Sequence, residues 1–195
     1  MVKVIVPCVH LIVNPDNDVQ IQNVVAVASL NQKIDLLAIM KVFRNVEYTP
    51  KKFPGLVYRM KSPKTATLIF TTGKMVCTGA KSEKMALRAL RKVVRELKKE
   101  GIIILSKPRI SIENMVASAD IHGKVDLELA AYILDNMMYE PEQFPGAIYR
   151  MKEPKVVILI FSSGRLVITG AKMEKQVHEA FEKIKSILVE NELLY

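Results

Sequence analysis

Residues 53–84 read FPGLVYRMKSPKTATLIFTTGKMVCTGAKSEK, and residues 144–175 read FPGAIYRMKEPKVVILIFSSGRLVITGAKMEK. The two stretches align without a gap at an offset of 91 residues, and 20 of their 32 positions are identical. Over the longer alignment of residues 21–100 with 112–191, 34 of 80 positions are identical. Chance does not produce such a match, so we expect two similar halves related by an approximate two-fold axis.

The boundaries of the two repeats follow from this offset. We place repeat 1 at residues 10–100 and repeat 2 at residues 101–195. A protein with two like halves suits a ligand that is itself approximately two-fold symmetric, and duplex DNA is such a ligand.

Each half shows the same order of secondary-structure signals. In the first half, the β-branched run Ile21–Leu30 predicts a strand, and Asp35 is a plausible N-cap for a short helix through Val42. Three short strands separated by turns follow, at residues 56–61, 65–70 and 74–78. A longer amphipathic helix is expected from about Ser82 to Lys99, and the second half copies this order with Asp126 as the cap. Strands this close in sequence pair in antiparallel fashion, so we predict an α+β fold.

One face of the predicted sheet has nothing to cover it. Side chains alternate between faces along a strand, so Met75 and Cys77 share one face while Val76 and Thr78 share the other. The face of Met75 and Cys77 suits a core beneath the two helices of each half. The other face carries Val and Thr instead of the charged residues of a solvated face, which makes it a binding surface by default. Burial of this face in a homodimer is the alternative that the pattern leaves open.

The composition favours a polyanionic partner and gives no sign of an enzyme. The net charge is +9 and is uneven: residues 1–100 hold 18 Lys/Arg against 7 Asp/Glu, whereas residues 101–195 hold 11 against 13. We find no nucleophile pair, phosphate-cradling glycine loop or Cys/His cluster, so we expect no catalytic residue, cofactor or metal site. The two cysteines, Cys8 and Cys77, suit a reducing compartment, and no apolar run is long enough for a membrane span.

Motifs in the duplicated stretch carry a specific resemblance. Two phenylalanines separated by 16 residues occur in each half, at Phe53 and Phe70 and again at Phe144 and Phe161. A block of the form Ser/Thr-Gly-Lys/Arg-x-Val-x-Thr-Gly-Ala-Lys also occurs twice, and residues 140–146 read EPEQFPG. Together these motifs resemble the core of the TATA-box-binding protein family, over about residues 19–191. Because no long N-terminal extension precedes them, the chain is more similar to the archaeal form of the family than to the eukaryotic one.

The resemblance implies a saddle, in which two tandem pseudo-symmetric repeats form a curved antiparallel sheet with helices on its convex side. It implies a general transcription initiation factor that binds the TATA box in the minor groove, bends the DNA by phenylalanine intercalation, and recruits transcription factor B and RNA polymerase. This family is itself the standard example of minor-groove binding with apolar side-chain wedges. An archaeal member would lie in the cytoplasm with the nucleoid, and a eukaryotic one in the nucleus.

The resemblance assigns DNA contacts to matching residues of the two halves. The intercalating residues are Phe53 with Phe70 and Phe144 with Phe161. The central hydrogen-bonding residues are Asn23 and Asn114, flanked by Thr78 and Thr169. The apolar contacts with the groove floor come from Val25, Leu68, Val76, Val116, Leu159 and Val167. The phosphate contacts come from Arg59, Lys74, Arg150 and Arg165.

The loops before the first phenylalanine of each half carry opposite charge. Residues 140–143 read EPEQ, whereas residues 49–52 read TPKK. In the family, the acidic version in the second half helps to dock transcription factor B, so Glu140 and Glu142 are the predicted partner-binding residues. Plain surface charge is the alternative for both. The outward face of the first long helix is also basic.

Three other interpretations remain open at this point. Some DNA-repair glycosylases carry a similar saddle as an accessory domain, but that role needs a catalytic domain, and no residues of this sequence remain to build one. A homodimer that buries the apolar face in the absence of DNA is the second. A paralogue of the same family with altered promoter preference is the third.

Overall fold

The computed structural model describes residues 18–195, so Cys8 and the part of repeat 1 before residue 18 lie outside the described residues. The first half contributes five strands and two helices. They are β1 (Val19–Ser29), α1 (Leu36–Val42), β2 (Val46–Glu47), β3 (Leu56–Met60), β4 (Thr65–Ile69), β5 (Lys74–Ala80) and α2 (Glu83–Lys99). The second half repeats this order. Its elements are β6 (Arg109–Asp120), α3 (Leu127–Ile133), β7 (Met137–Met138), β8 (Gly146–Met151), β9 (Val156–Phe161), β10 (Arg165–Ala171) and α4 (Glu174–Glu190).

The predicted strands and helices of the first half are all present, with ends that differ by at most two residues. Sequence reasoning misses β2 and β7, because two residues are too few for an alternating pattern to be visible. None of the helices in residues 18–195 is both long enough and apolar enough to cross a membrane.

The ten strands form one antiparallel sheet whose order is β2-β3-β4-β5-β1-β6-β10-β9-β8-β7. When each strand is replaced by its copy from the other half, the order reads the same from the opposite end. The central pair is β1 with β6, in which Val25 lies opposite Asn114 and Asn23 lies opposite Val116. The approximate two-fold axis therefore passes between these two strands, and the predicted α+β saddle of two tandem repeats is confirmed.

The face of Met75 and Cys77 is the core face, as predicted. Both side chains are fully buried, and so are Leu166 and Ile168 at the equivalent positions of β10. The long helices cover this face through one apolar stripe each. The stripes consist of Ala86, Leu90, Val93 and Leu97 on α2 and of Val177, Phe181, Ile184 and Leu188 on α4. Burial of a large apolar side chain contributes roughly 1.5–3 kcal/mol, so this contact holds the helices in place. Truncation of Leu90 to alanine would cost about 2–5 kcal/mol.

The short helices begin where the sequence predicts. The carboxylate of Asp35 accepts hydrogen bonds from the backbone N–H groups of Leu37, at 2.9 Å, and Ala38, at 3.2 Å. The carboxylate of Asp126 accepts one from the N–H of Leu129 at 3.0 Å. Each cap satisfies N–H groups that have no partner inside the helix, and replacing it with alanine costs about 1 kcal/mol.

Candidate nucleic-acid interface

The sheet face opposite the helices, here called the concave face, carries the apolar residues that the sequence analysis selects. They are Val25, Leu68, Val76, Val116, Leu159 and Val167, and all are half-buried. Their neighbours along the strands, such as Val24, Ile69 and Met75, are fully buried on the core face. Period-two alternation therefore brings the six residues to one surface, where their side chains are partly exposed to solvent.

A network of short contacts fixes the side chain of Asn23 near the centre of this face. The backbone N–H of Gly79 donates to Asn23 Oδ1 at 2.7 Å, and Thr78 Oγ1 lies 3.1 Å from Asn23 Nδ2 and 3.2 Å from Oδ1. Gly79 has a φ of +89°, which turns its N–H away from the strand ladder at a point where the pairing of β1 and β5 shifts register. The amide oxygen of Asn23 is thus held toward the backbone.

The second half copies this network around Asn114. Gly170, with a φ of +101°, donates its N–H to Asn114 Oδ1 at 2.8 Å, and Thr169 Oγ1 lies 3.3 Å from Asn114 Nδ2. Since Asn23 and Asn114 lie on the paired central strands, the two networks flank the two-fold axis.

The chemistry of these two networks is that of hydrogen-bond donors set among methyl groups. The side-chain oxygen of each asparagine already accepts a hydrogen bond from a backbone N–H. The side-chain NH2 group is therefore the part of each asparagine that can donate to a ligand. Whichever way the threonine hydroxyl proton points, each Asn–Thr pair has two donor hydrogens left. In the DNA minor groove, A·T pairs offer only acceptors, whereas a G·C pair adds the donor amine of guanine.

The four phenylalanines form two edge-to-face pairs, one in each half. The ring centroids of Phe53 and Phe70 are 5.9 Å apart at 64°, and those of Phe144 and Phe161 are 5.8 Å apart at 62°. Phe53 is 40% exposed, and the other three rings are half-buried. In each pair, one ring lies in the loop before β3 or β8, and the other lies at the end of β4 or β9. The pairs therefore lie on either side of the two asparagine networks.

Sequence reasoning misses the glycines on which the two ring pairs rest. A Cβ added to Gly55 would lie 2.7 Å from Cε1 of Phe53 and 3.0 Å from Cε1 of Phe70. A Cβ added to Gly146 would lie 2.9 Å from Cε1 of Phe144. Such distances are shorter than van der Waals contact, so any side chain here would displace the rings. The recurring Phe-Pro-Gly motif is the sequence signal that points to this requirement.

The cations assigned to phosphate contact are all exposed, but they differ in their neighbours. Arg59 Nε lies 3.5 Å from a carboxylate oxygen of Glu47, and Arg165 Nε lies 3.9 Å from one of Asp120. Within residues 18–195, Lys74 and Arg150 have no ion pair. Exposed pairs at such distances are worth about 0–1 kcal/mol, so these arginines can exchange a carboxylate for a phosphate at small cost.

The loops before the first phenylalanine of each half share one backbone conformation and differ in charge. The N–H groups of Gln143 and Phe144 both donate to the carbonyl of Glu140 at 3.0 Å. In the first half, the N–H groups of Lys52 and Phe53 donate to the carbonyl of Thr49 at 2.9 and 3.0 Å. The side chains of Glu140, Glu142, Lys51 and Lys52 are exposed. The same turn therefore presents carboxylates in one half and ammonium groups in the other.

Comparison with known proteins gives one consistent result. The family model described as transcription factor TFIID, or TATA-binding protein, matches residues 18–100 and 109–191. The chain is 55% identical over 172 residues to the TATA-box-binding protein of Sulfolobus acidocaldarius, which covers 88% of this chain and 87% of that protein. It is 56% identical over 170 residues to that of Pyrodictium occultum, covering 87% and 85%. Among solved structures, the TBP of Methanococcus jannaschii matches with a TM-score of 0.81 and 45% identity, over 89% of this chain and 99% of that one.

Proposed function

The chain belongs to the TATA-binding protein family of transcription initiation factors, and we propose that it binds the TATA box with its concave face and bends the duplex by inserting Phe53, Phe70, Phe144 and Phe161. The observation that carries this proposal is the arrangement of the two asparagine networks around the two-fold axis, with one phenylalanine pair on either side. A nearly two-fold duplex that opens its minor groove meets matching groups in both halves.

Selectivity for A·T pairs follows from the donors at the centre. The N–H groups of Asn23 and Asn114 and the hydroxyls of Thr78 and Thr169 can donate to adenine N3 and thymine O2. A guanine amine at the same place would be buried against donors and methyl groups. Leaving one such group without a partner costs about 1–3 kcal/mol.

Bending follows from the phenylalanine pairs. An apolar ring inserted between two base pairs unstacks them at a cost of roughly a few kcal/mol per step, and this cost is lowest at flexible steps such as TA. Contact of the valine and leucine side chains with the exposed groove floor then offsets the cost. The protein would in this way recognise the DNA sequence partly through the deformability of the duplex. Arg59, Lys74, Arg150 and Arg165 would hold the displaced phosphates.

We assign partner binding to the acidic loop of repeat 2. Glu140 and Glu142 are exposed on a well-defined turn next to Phe144, which supports docking of transcription factor B at this end and, through it, recruitment of RNA polymerase. We retain residues 10–100 and 101–195 as the two repeats. In a cell related to those of the archaeal relatives, the protein would act at the nucleoid.

A salt titration tests the proposal. We expect tight binding to a TATA duplex and weak binding to a G·C-rich duplex, with a log–log salt slope of about −5 to −7 if roughly 6–8 phosphates are neutralised. The oligomeric state is measured over the same concentrations. Equal affinity for the two duplexes, or a slope shallower than about −2, would contradict DNA binding by the concave face. A stable dimer that no duplex dissociates would instead favour burial of that face between two copies.

A further inference from the structure

The outward face of α2 is a dense row of cations on the side of the molecule away from the concave face. The helix holds seven Lys/Arg and two Glu in its 17 residues. The cations are Lys84, Arg88, Arg91, Lys92, Arg95, Lys98 and Lys99. At 3.6 residues per turn they fall within a sector of about 120° and extend over about 22 Å of the helix axis. We call these seven residues the basic stripe.

Most of the basic stripe is unneutralised in the free protein. Lys92 pairs with Glu96 at 3.7 Å and donates to the carbonyl of Ser62 at 2.7 Å. Within residues 18–195, the other six cations have no ion pair and no side-chain hydrogen bond. Glu96 also accepts a hydrogen bond from the hydroxyl of Tyr58, so its carboxylate is turned toward the sheet edge. Like charges four residues apart destabilise a helix by about 0.2–0.5 kcal/mol per pair, and a bound polyanion would relieve this cost.

The equivalent helix of repeat 2 lacks this excess of cations, which makes the stripe specific to one half. At the offset of 91 residues, the positions equivalent to Arg88, Arg91 and Arg95 are occupied by Glu179, Glu182 and Ser186. The helix α4 holds four Glu and three Lys in total. Since the two helices otherwise share their length and their packing, the stripe is not a requirement of the fold.

The chemistry of the stripe fits a phosphate backbone better than a protein. None of the exposed large apolar side chains of residues 18–195 lies on α2, whereas α1 exposes Leu37 and Met40 and α3 exposes Tyr132. Stable protein interfaces depend on buried aromatic and aliphatic anchors, and α2 offers none. Arginine side chains bind phosphate through two parallel hydrogen bonds, and three arginines form the middle of the stripe.

We propose that the basic stripe binds the backbone of a second duplex DNA segment while the concave face holds the first. The protein would then hold two segments on opposite faces. Binding at the stripe is expected to be independent of base sequence, because it uses phosphate contacts alone. A purely electrostatic contact of about five phosphates predicts a log–log salt slope of about −4 to −5.

The test begins with the complex of the full chain and a labelled TATA duplex, whose formation reports only on the concave face. A second duplex of G·C pairs with a different label is then titrated in at 50 mM salt, and energy transfer between the labels reports the ternary complex. The variant Arg88→Glu, Arg91→Glu, Arg95→Ser installs the residues of α4 on α2. The new carboxylate at position 88 lies four residues from both Lys84 and Lys92, and α4 carries Glu179 and Glu182 at the same spacing, so the helix, TATA binding and the melting temperature should be preserved.

A matched control separates the stripe from net charge. Lys107→Glu, Lys124→Glu, Lys175→Ser removes the same five charges from exposed positions outside α2. We expect second-duplex affinity on the order of 100-fold weaker in the α2 variant and within about threefold of the parent in the control. Equal losses in both variants would mean that net charge alone is responsible and would overturn the proposal. So would the absence of a ternary complex in the parent, or displacement of the second duplex by an equimolar decaglutamate peptide, which would identify an acidic protein segment as the ligand.

Discussion

Lys172, which follows β10, and Glu113, which precedes Asn114 on β6, form an ion pair with 3.2 Å between Nζ and Oε2. The Ser111 hydroxyl, together with Lys172, holds the pKa of Glu113 below its usual range, so the carboxylate is charged at neutral pH. At the equivalent positions of repeat 1, Lys81 has no ion pair within the described residues and Gln22 replaces the glutamate. The two halves therefore differ in charge at these positions.

This inequality predicts that Glu113→Gln strengthens binding to TATA DNA. The change frees Lys172 and removes a negative charge near the phosphates, so we expect affinity about two- to fivefold higher and a salt slope steeper by about 1. Fluorescence anisotropy at several salt concentrations measures both. The matched change Gln22→Glu in repeat 1 should weaken binding by a similar factor. If neither variant alters affinity, phosphates do not approach this ion pair.

Removal of one phenylalanine pair should abolish bending with little effect on folding. In Phe144→Ala, Phe161→Ala, both rings are lost from a partly exposed position, so the hydrophobic core is intact and the protein should stay folded. End-to-end energy transfer across a TATA duplex measures the bend, and a thermal melt measures stability. An unchanged bend would contradict intercalation. A protein that no longer folds would show that the pair is a structural element.

The glycine beneath that pair predicts a more specific defect. Gly146→Ala places a methyl group against the ring of Phe144, which can move because its far edge is partly exposed. We expect a stable protein that bends DNA several-fold less, because the added methyl group disturbs the edge-to-face packing of the two rings. In a Phe144→Ala background the same change should have a smaller effect, because only the contacts with Cε1 of Phe161, at 3.1 Å, and with the carbonyl oxygen of Ile160, at 3.2 Å, remain. Additive effects of the two substitutions would mean that the glycine acts through the backbone.

The buried hydroxyl of Tyr58 predicts a stability difference between the two halves. Burial and its hydrogen bond to Glu96 raise the pKa of Tyr58 from 10.0 to about 12. A raised pKa means that the folded state favours the protonated hydroxyl, so this stabilisation is complete below pH 10 and is lost as the pH rises through about 12. Tyr58→Phe keeps the ring contact with Phe43 and should cost about 1–2 kcal/mol, without variation between pH 6 and 9.

Tyr149 provides the control for this stability prediction. It is the equivalent residue of repeat 2, but Ile187 stands at the position of Glu96, and within residues 18–195 no carboxylate accepts a hydrogen bond from its hydroxyl. Tyr149→Phe should therefore change the free energy of unfolding by less than about 0.5 kcal/mol. Denaturant unfolding of both variants measures the difference, and equal costs would show that the hydrogen bond of Tyr58 contributes nothing net.

The fold was predictable because its signals are local and occur twice. Alternation within residues 74–78 assigns Met75 to the core and Val76 to the open face, and the duplication requires the second half to agree. The contacts that orient the site were not predictable. Asn23 and Gly79 are 56 residues apart in sequence, and their hydrogen bond depends on a register shift that no residue pattern encodes. The ion pair of Glu113 with Lys172 spans 59 residues for the same reason.

The loops before the first phenylalanine of each half carry opposite charge, and this difference predicts the direction in which transcription factor B binds. The backbone of the two loops is the same, so charge is what distinguishes Glu140 and Glu142 from Thr49 and Lys51. A basic partner would be attracted to the loop of repeat 2 and repelled from that of repeat 1. Like-charge repulsion at an interface costs several kcal/mol, which is enough to exclude the wrong end. A nearly two-fold complex with DNA would thereby acquire one transcription direction.

Two charge exchanges test this directly. Glu140→Lys, Glu142→Lys should bind TATA DNA but lose recruitment of transcription factor B, because the carboxylates that attract it are reversed. Lys51→Glu, Lys52→Gln replaces the two ammonium groups of the repeat 1 loop with one carboxylate, so the factor should dock at either end and its footprint should extend on both sides of the TATA box. Footprinting with the parent protein as reference measures the orientation. If both variants recruit the factor in the parent's single orientation, the direction is set by residues outside these loops.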